Sequence, residues 1–364
     1  MNKNKIDKLD IIDKISIELE VSLLFALKKM DVSGKKLLLV FEDKRFVNVL
    51  SIGDIQRAIL KNIPLTTPIK NILRKNTIIS KKKDSYDVIK KIMKQYRIEC
   101  MPVVNNKNDL IDVYFWEDVF GNNEKRINAN LNLPVVIMAG GKGSRLKPLT
   151  NVIPKPLIPI GGKTIIEEIM DKFVEVGCNN FFLSLNYKAE TIKHYFSQLQ
   201  NANYKLNYFQ ETKPLGTAGS LYLIKDKINT TFFVSNCDII VDEDYSEILR
   251  YHQENNNELT VVSVLKHYPI PYGTIETERE GILKSLKEKP EFTFQINSGM
   301  YILEPHLLND IPINNFFHIT QLINNIQKRR GRIGVFPVSE GSWQDIGQRD
   351  DYIKLLSNYF RLNL

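Results

Sequence analysis

Cysteine is scarce: Cys100, Cys178 and Cys237 are the only three in 364 residues, and five histidines accompany them. The cysteines are odd in number, far apart and without a Cys-x-x-Cys spacing. That excludes a disulfide framework and reads as reduced thiols in a cytoplasmic protein. No histidine spacing suits zinc. No apolar run approaches the length that crosses a bilayer, and the opening Met-Asn-Lys-Asn-Lys-Ile-Asp-Lys lacks the apolar core of a signal peptide. Neither a membrane protein nor a secreted one is expected. Acidic excess is also missing, since the net charge is +8. Lys plus Arg outnumber Asp plus Glu by 24 to 17 over residues 1–125 and by only 26 to 25 beyond them. The basic residues of the first part are dispersed, with only Lys81 to Lys83 in a run, and no zinc finger, basic zipper or RNA-binding aromatic motif organises them. A solvated basic surface, open to phosphate-bearing effectors, is expected rather than a nucleic-acid partner.

The chain is long enough for two domains. Its most informative stretch runs from Val135 to Pro156, where a strand-like Val-Val-Ile-Met-Ala leads into Gly140, Gly141 and Gly143, then Arg145, then Lys155 between two prolines. Glycines after a strand let the backbone approach a ligand and turn N–H groups toward phosphate oxygens. Arg145 adds a planar donor fork and Lys155 a point charge, so the loop suits a polyphosphate. A dinucleotide fingerprint would need glycine where Leu146 stands, and a P-loop ending at Gly162-Lys163-Thr164 would need glycine at Leu157.

Downstream, strand-like runs (Val135 to Ala139, Phe181 to Leu185, Thr231 to Ser235, Leu259 to Leu265) alternate with helical segments (Thr164 to Val176, Thr191 to Leu199). This predicts an α/β layer fold with a mixed, mainly parallel, Rossmann-like sheet, whose ligands bind at the carboxyl ends of the strands. Gln210 to Gly219 follows a predicted strand and opens a predicted helix. Asn236-Cys237-Asp238 ends a hydrophobic strand, where a carboxylate is costly unless a positive group meets it. Trp343-Gln344-Asp345-Ile346-Gly347 supplies a second such aspartate.

The pattern Gly-Gly-x-Gly-x-Arg-Leu followed by Pro-Lys-Pro resembles the signature of the sugar-1-phosphate nucleotidyltransferases, and further motifs follow in that family's order. The resemblance implies that Ala139, Gly140, Gly141, Gly143, Gly216, Thr217 and Ala218 hold a nucleoside triphosphate. It implies that Arg145, Lys155 and Lys289 assist the reaction, and that Tyr272, Gly273, Glu288, Lys289, Asn297 and Gly299 hold a sugar phosphate. Asp238 and Asp345 are implied to bind Mg²⁺. The Leu-Gly-Thr-Ala-Gly form of residues 215–219 is similar to guanylyltransferases, implying GTP.

Upstream, residues 1–125 contain two units of helix, strand, strand, helix: Val21 to Met30, Lys36 to Val40, Phe46 to Leu50 and Asp54 to Leu60, then Ser85 to Tyr96, Cys100 to Val104, Leu110 to Tyr114 and Trp116 to Phe120. The tandem resembles a pair of CBS domains. Ser51 and Asp54 match the nucleotide-holding pattern of that family, whereas Phe115 replaces the hydroxyl residue before Asp118. Regulation by a nucleotide and simple dimerisation both remain open, and a homo-oligomer is expected. A polar linker is expected from Phe120 to Asn132, before a catalytic domain over 133–364. A CBS pair joined to such a domain resembles enzymes that activate glucosamine 1-phosphate with GTP in legionaminic acid biosynthesis. Mannose 1-phosphate and heptose 1-phosphate are the alternative substrates, and a catalytically silent nucleotide sensor is the rival from another class.

Overall fold

The computed structural model describes residues 3–121, 130–199 and 203–362. Most of the expected linker lies outside the described residues. The chain divides into two compact units, the break falling between Asn128 and Ala129.

In the first unit α1 (Lys3–Ile15) precedes two repeats of strand, helix, strand, strand, helix. The first is β1 (Ser16–Glu18), α2 (Leu23–Ser33), β2 (Leu37–Glu42), β3 (Arg45–Ser51) and α3 (Ile52–Leu60). The second is β4 (Ser80–Lys81), α4 (Tyr86–Tyr96), β5 (Cys100–Val104), β6 (Leu110–Phe115) and α5 (Trp116–Phe120). Each repeat forms its own three-stranded sheet, with the first strand parallel to the second and the second antiparallel to the third. The short leading strand of each repeat escapes a pattern reading because two or three residues carry no periodicity. Local chemistry sets the helix ends: the Ser22 hydroxyl accepts from Phe25 N–H at 3.2 Å, and α2 stops at Gly34 in the left-handed conformation at φ 65°.

The second unit begins with β7 (Pro134–Met138), α6 (Leu149–Val152), β8 (Pro159–Ile160), β9 (Lys163–Thr164) and α7 (Ile165–Glu175). It continues with β10 (Asn180–Leu185), α8 (Ala189–Gln198), β11 (Lys205–Gln210), β12 (Phe232–Asn236), β13 (Ile239–Val241) and α9 (Tyr245–Glu254). Then come β14 (Leu259–Pro269), β15 (Thr274–Thr277), β16 (Leu283–Lys287), β17 (Glu291–Leu303), α10 (Ile319–Lys328), β18 (Ile333–Ser339), β19 (Trp343–Asp345) and α11 (Arg349–Leu362).

A seven-stranded sheet in the order β11-β10-β7-β12-β17-β14-β18 forms the centre. All neighbouring pairs are parallel except those made by β17, which runs against β12 and β14. Both faces are covered, which is why the strands read as continuous apolar runs. Alternate residues divide between two cores: Val135, Ile137, Phe181 and Phe233 pack with Ile169 and Phe173 of α7, while Val136, Phe182 and Val234 pack with Leu221, Leu307 and Leu322. Phe173 meets the Phe233 and Tyr245 rings at centroid distances of 5.3 and 4.8 Å, so its truncation to alanine would cost about 3–5 kcal/mol. Because β7, β10, β11 and β12 are parallel, the loops after Met138, Leu185, Gln210 and Asn236 gather at one edge of the sheet.

Candidate active site

The glycine loop opens at that edge. Ala139 keeps the sheet ladder, its N–H donating to the Ser184 carbonyl at 3.0 Å, and the chain then departs. A side chain at Gly140 would lie 3.2 Å from the Asn186 Cβ and 3.4 Å from the Glu211 carboxylate, so the loop passes close over two neighbouring strand ends. Gly143 adopts φ 63°, and a Cβ there would come within 2.8 Å of Thr150 and 3.0 Å of Lys155. Glycine therefore lets the loop close on the Pro-Lys-Pro turn, an approach locked by the Thr150 hydroxyl donating to the Gly143 carbonyl at 2.9 Å. Space is open on the corresponding side of Gly141. Arg145 extends, largely exposed, from a single 3₁₀ turn pinned by buried Leu146.

Lys155 and Asp238 are both buried and form an ion pair, Lys155 Nζ donating to Asp238 Oδ2. Arg145 Nη2 stands 3.9 Å from the same oxygen. Asp345 arrives through the antiparallel pairing of β13 with β19, which sets it opposite Ile239, and Ile346 N–H donates to the Asp238 carbonyl at 2.9 Å. Burial raises the Asp345 pKa, with the nearby Asp238 charge adding to it, against a hydrogen bond from Gly347 N–H at 2.7 Å and the fields of Arg145 and Lys155. The convergence is visible at Gly347. A Cβ placed there would sit 2.6 Å from Asp238 Oδ2, 2.7 Å from Asp345 Oδ1 and 3.0 Å from Arg145 Nη2. Two carboxylates and a guanidinium thus meet around one bare backbone position, with the Lys155 ammonium held on Asp238, an arrangement that structural packing alone does not favour. Among the described residues no three or more of His, Cys, Asp or Glu gather as a metal cluster, so the protein contributes two carboxylates at this point.

The loop of residues 215–219 departs from expectation. It leads into a 3₁₀ helix, Gly219–Ile224, instead of an α-helix. Gly216, at φ 82°, and Gly219 lie against backbone of the 315–317 segment, with Cβ positions only 2.7 Å from the Phe317 carbonyl and 2.6 Å from the Asn315 carbonyl. Ala218 is fully buried and its N–H donates to the Phe317 carbonyl at 3.0 Å. The smallness of these residues is thus used by the protein's own backbone, and Thr217 is the exposed member of the loop. Its hydroxyl accepts from Ile319 N–H at 3.0 Å and lies 3.3 Å from His318 Nδ1.

Tyr272, Gly273, Glu288 and Lys289 come together on an antiparallel arm, where a Cβ on Gly273 would lie 3.0 Å from the Glu288 carboxylate. Lys289 holds φ 43°, a left-handed conformation that costs a lysine energy and recurs at functional sites. Asn297 is engaged internally, donating to the Tyr301 hydroxyl at 2.7 Å and accepting from Gly299 N–H at 3.0 Å. Gly299, at φ 90°, leaves room for Asn236, whose amide would otherwise be 2.6 Å from its Cβ. Gly299 therefore makes room for the strand end that leads to Asp238.

Sequence reasoning assigned no role to Gly347 or Glu211. Glycine after Asp-Ile was the only signal for the first. Glu211 is buried, accepting from the Ser184 hydroxyl at 2.9 Å and from Leu215 N–H at 3.1 Å, so one carboxylate ties the glycine-loop edge to the 215–219 loop.

In the first unit, Ser51 and Asp54 form a capping box at the start of α3. Asp54 Oδ2 accepts from Ser51 N–H at 2.9 Å and from the Ser51 hydroxyl at 2.7 Å. Arg57 reaches Oδ1 at 2.5 Å and Arg74 reaches Oδ2 at 3.1 Å. Phe115 and Asp118 occupy the same place in the second repeat, with Phe115 N–H donating to Asp118 at 3.3 Å but no hydroxyl to match Ser51.

Residues 134–361 match the family model for Nucleotidyl transferase, and the chain belongs to that family. It is similar to the protein named "Probable mannose-1-phosphate guanylyltransferase 1" of Oryza sativa subsp. japonica, 33% identical over 62% of this chain and 64% of that one. It is also similar to mannose-1-phosphate guanyltransferase of Yarrowia lipolytica, 34% identical over 60% of this chain and 61% of that one. The chain thus spans less than two thirds of the length of these relatives. Among solved structures, HddC from Yersinia pseudotuberculosis is 29% identical with a TM-score of 0.50, over 62% of this chain and 99% of that one. HddC has also been solved in complex with GMP-PN. No described helix is long and apolar enough to cross a membrane.

Proposed function

We propose that the second unit transfers a guanylyl group from GTP to a sugar 1-phosphate. A phosphate oxygen of the sugar attacks the α-phosphorus, one P–O bond forms, the α–β anhydride bond breaks and pyrophosphate leaves. Little covalent help is needed in phosphoryl-type transfer; positioning and neutralisation of spread negative charge do most of the work. The observation that carries this reading is the convergence of Arg145, Asp238 and Asp345 around Gly347, with Lys155 paired to Asp238. Arg145, exposed beside the glycine loop, suits the departing pyrophosphate. Lys155 and Lys289 offset repulsion between two anionic substrates. Two converging carboxylates fit Mg²⁺, which commonly takes one or two protein carboxylates with phosphate oxygens and water completing its shell. When bound by Asp238 and Asp345 it would supply positive charge to the α-phosphate.

Guanine as the base is supported by the Leu-Gly-Thr-Ala-Gly loop and by the guanylyltransferase names of the relatives. For the sugar, the joining of a repeat unit to this domain favours glucosamine 1-phosphate, and the names of the relatives favour mannose 1-phosphate. The first unit is read as a CBS-type pair with one nucleotide site at Ser51 and Asp54. The doubled strand order and the missing hydroxyl at Phe115 support this. Pyrophosphate release is the test, with GTP, UTP, dTTP, CTP and ATP each paired with glucosamine, mannose and heptose 1-phosphates. GTP-selective turnover is expected. Release from no pair would sink the enzymatic reading, and preference for UTP or dTTP would remove the guanylyl assignment alone.

A further inference from the structure

The turn α6 joins the glycine loop to the Pro-Lys-Pro segment, and little apolar packing holds it there. It has four residues, far fewer than a helix needs to persist alone in water. Thr150 is buried, but Leu149 and Val152 are 41% and 78% exposed, and Asn151 is exposed too. Residues 154–157, immediately after it, are buried, Lys155 among them. The place of that lysine is thus set in part by polar ties on an exposed turn. The ties come from the loop after β10. Lys188 Nζ donates to the carbonyls of Asn151 and Val152, at 2.6 Å each. A helix end leaves such carbonyls without partners of its own. The Tyr187 hydroxyl donates to the Thr150 carbonyl at 3.4 Å, and the Tyr187 N–H donates to the Gly140 carbonyl at 3.4 Å. Two adjacent residues therefore hold the glycine loop at its start and the α6 turn at its end. Between those points the Thr150 hydroxyl closes onto Gly143, beside Lys155.

Lysine is a costly choice at position 188. Its backbone is left-handed, at φ 52° and ψ 37°, where glycine or asparagine fits with less strain. Lys188 begins α8, yet its side chain makes no capping hydrogen bond to that helix and is directed to the neighbouring loop. The ammonium lies 5.4 Å from the centre of the Tyr187 ring, a contact that favours this placement. A strained residue that reaches out of its own element to two carbonyls of another has a task there. We infer, on the transfer reading above, that Lys188 is a positioning residue for the reaction. It acts through the Asn151 and Val152 carbonyls to fix Lys155, from which only Ile153 and the rigid Pro154 separate them.

Lys188→Met keeps the length of the side chain and removes its donors. In the full chain, kcat for pyrophosphate release should fall about tenfold or more, with a smaller change in KM for GTP, because groups that must be held closely are displaced. Lys188→Arg, which can still donate to both carbonyls, should retain most of the rate. In a Lys155→Ala background, Lys188→Met should lower kcat no further, since the two residues act as one unit. Hydrogen exchange read by mass spectrometry should show the amides of residues 151–158 opening at least about tenfold faster in Lys188→Met, while those of α7 stay protected. Undiminished kcat in Lys188→Met would overturn the inference. So would a loss of equal size with and without Lys155, an arginine variant no better than methionine, or unchanged exchange at 151–158. A wild type that releases no pyrophosphate would sink the transfer reading alone, and exchange would still decide whether Lys188 holds Lys155 in place.

Discussion

Asp238 and Asp54 are both buried aspartates beside cationic side chains, one in each unit, and they are built for different ends. Asp54 has both oxygens engaged by groups from its own neighbourhood: the Ser51 N–H and hydroxyl, Arg57 and Arg74. It is a completed knot that caps a helix and ties the segment at Arg74 to it. Asp238 instead faces a second carboxylate, Asp345, whose proton affinity is raised by burial, around a position kept bare by glycine. Native packing does not gather like charges without a reason, since each raises the cost of ionising the other. Asp54 is satisfied by donors of its own unit, whereas Asp238 is crowded by a like charge. A ligand at Asp54 would meet Arg57 and Arg74, which are half exposed, before it met the carboxylate.

The comparison is most sharply tested by removing charge at the crowded site. Asp238→Asn and Asp345→Asn should each lower kcat by at least about 10²-fold in a pyrophosphate-release assay, as other lost electrostatic contacts to a transition state do. Melting should behave differently. Asp345 has a raised pKa in the folded protein, so its charge disfavours folding once the pH exceeds the unfolded value. Asp345→Asn should therefore melt at an unchanged or higher temperature at neutral pH. A marked drop there, with activity kept, would make Asp345 structural.

A smaller loss is expected from Gly347→Ala, which adds a methyl within 2.7 Å of both carboxylates without needing a left-handed backbone. Turnover should fall roughly tenfold, from misplacement of groups that must be held closely. Full activity in this variant would mean that the three groups need not converge there.

The knot at Asp54 should respond the other way. Asp54→Asn removes a buried charge from two arginines that are about half exposed, so solvent screening reduces the cost to about 1–2 kcal/mol. Denaturant unfolding of the full chain should show that loss, with GTP turnover in the absence of effectors nearly unchanged. The smallest effect concerns Glu258, a paired carboxylate nearer the surface. Burial pushes its pKa up, but hydrogen bonds from Arg329 and His306 outweigh this and hold it below the ordinary 4.5. Its contribution is present above that value and is lost as the pH falls through the depressed folded value. Glu258→Gln should flatten the acid limb of unfolding free energy against pH, measured by denaturant, by less than about 1 kcal/mol.

Much of the frame was legible in the chain itself. The strands read at Val135, Phe181, Thr231 and Leu259 begin within a residue of those observed, because strands buried on both faces must be continuously apolar. The glycine loop was legible because close backbone approach and left-handed φ restrict residue choice at Gly140 and Gly143. The repeat in the first unit was legible as order, although its two-residue and three-residue leading strands were too short to show a period.

By itself, then, the sequence determined which segments are buried, where the backbone must be bare, and which charged residues stand at strand ends. Those are local demands, satisfied or violated by each residue in place. Only the tertiary structure decided what meets what. Pairing of β13 with β19 brings Asp345 to Asp238, and the 315–317 segment fills the space that Gly216 and Gly219 leave. Arg74, twenty positions beyond Asp54, closes the knot in the first unit. Such contacts arise from long-range register and chain reversal, for which residue spacing carries no signal.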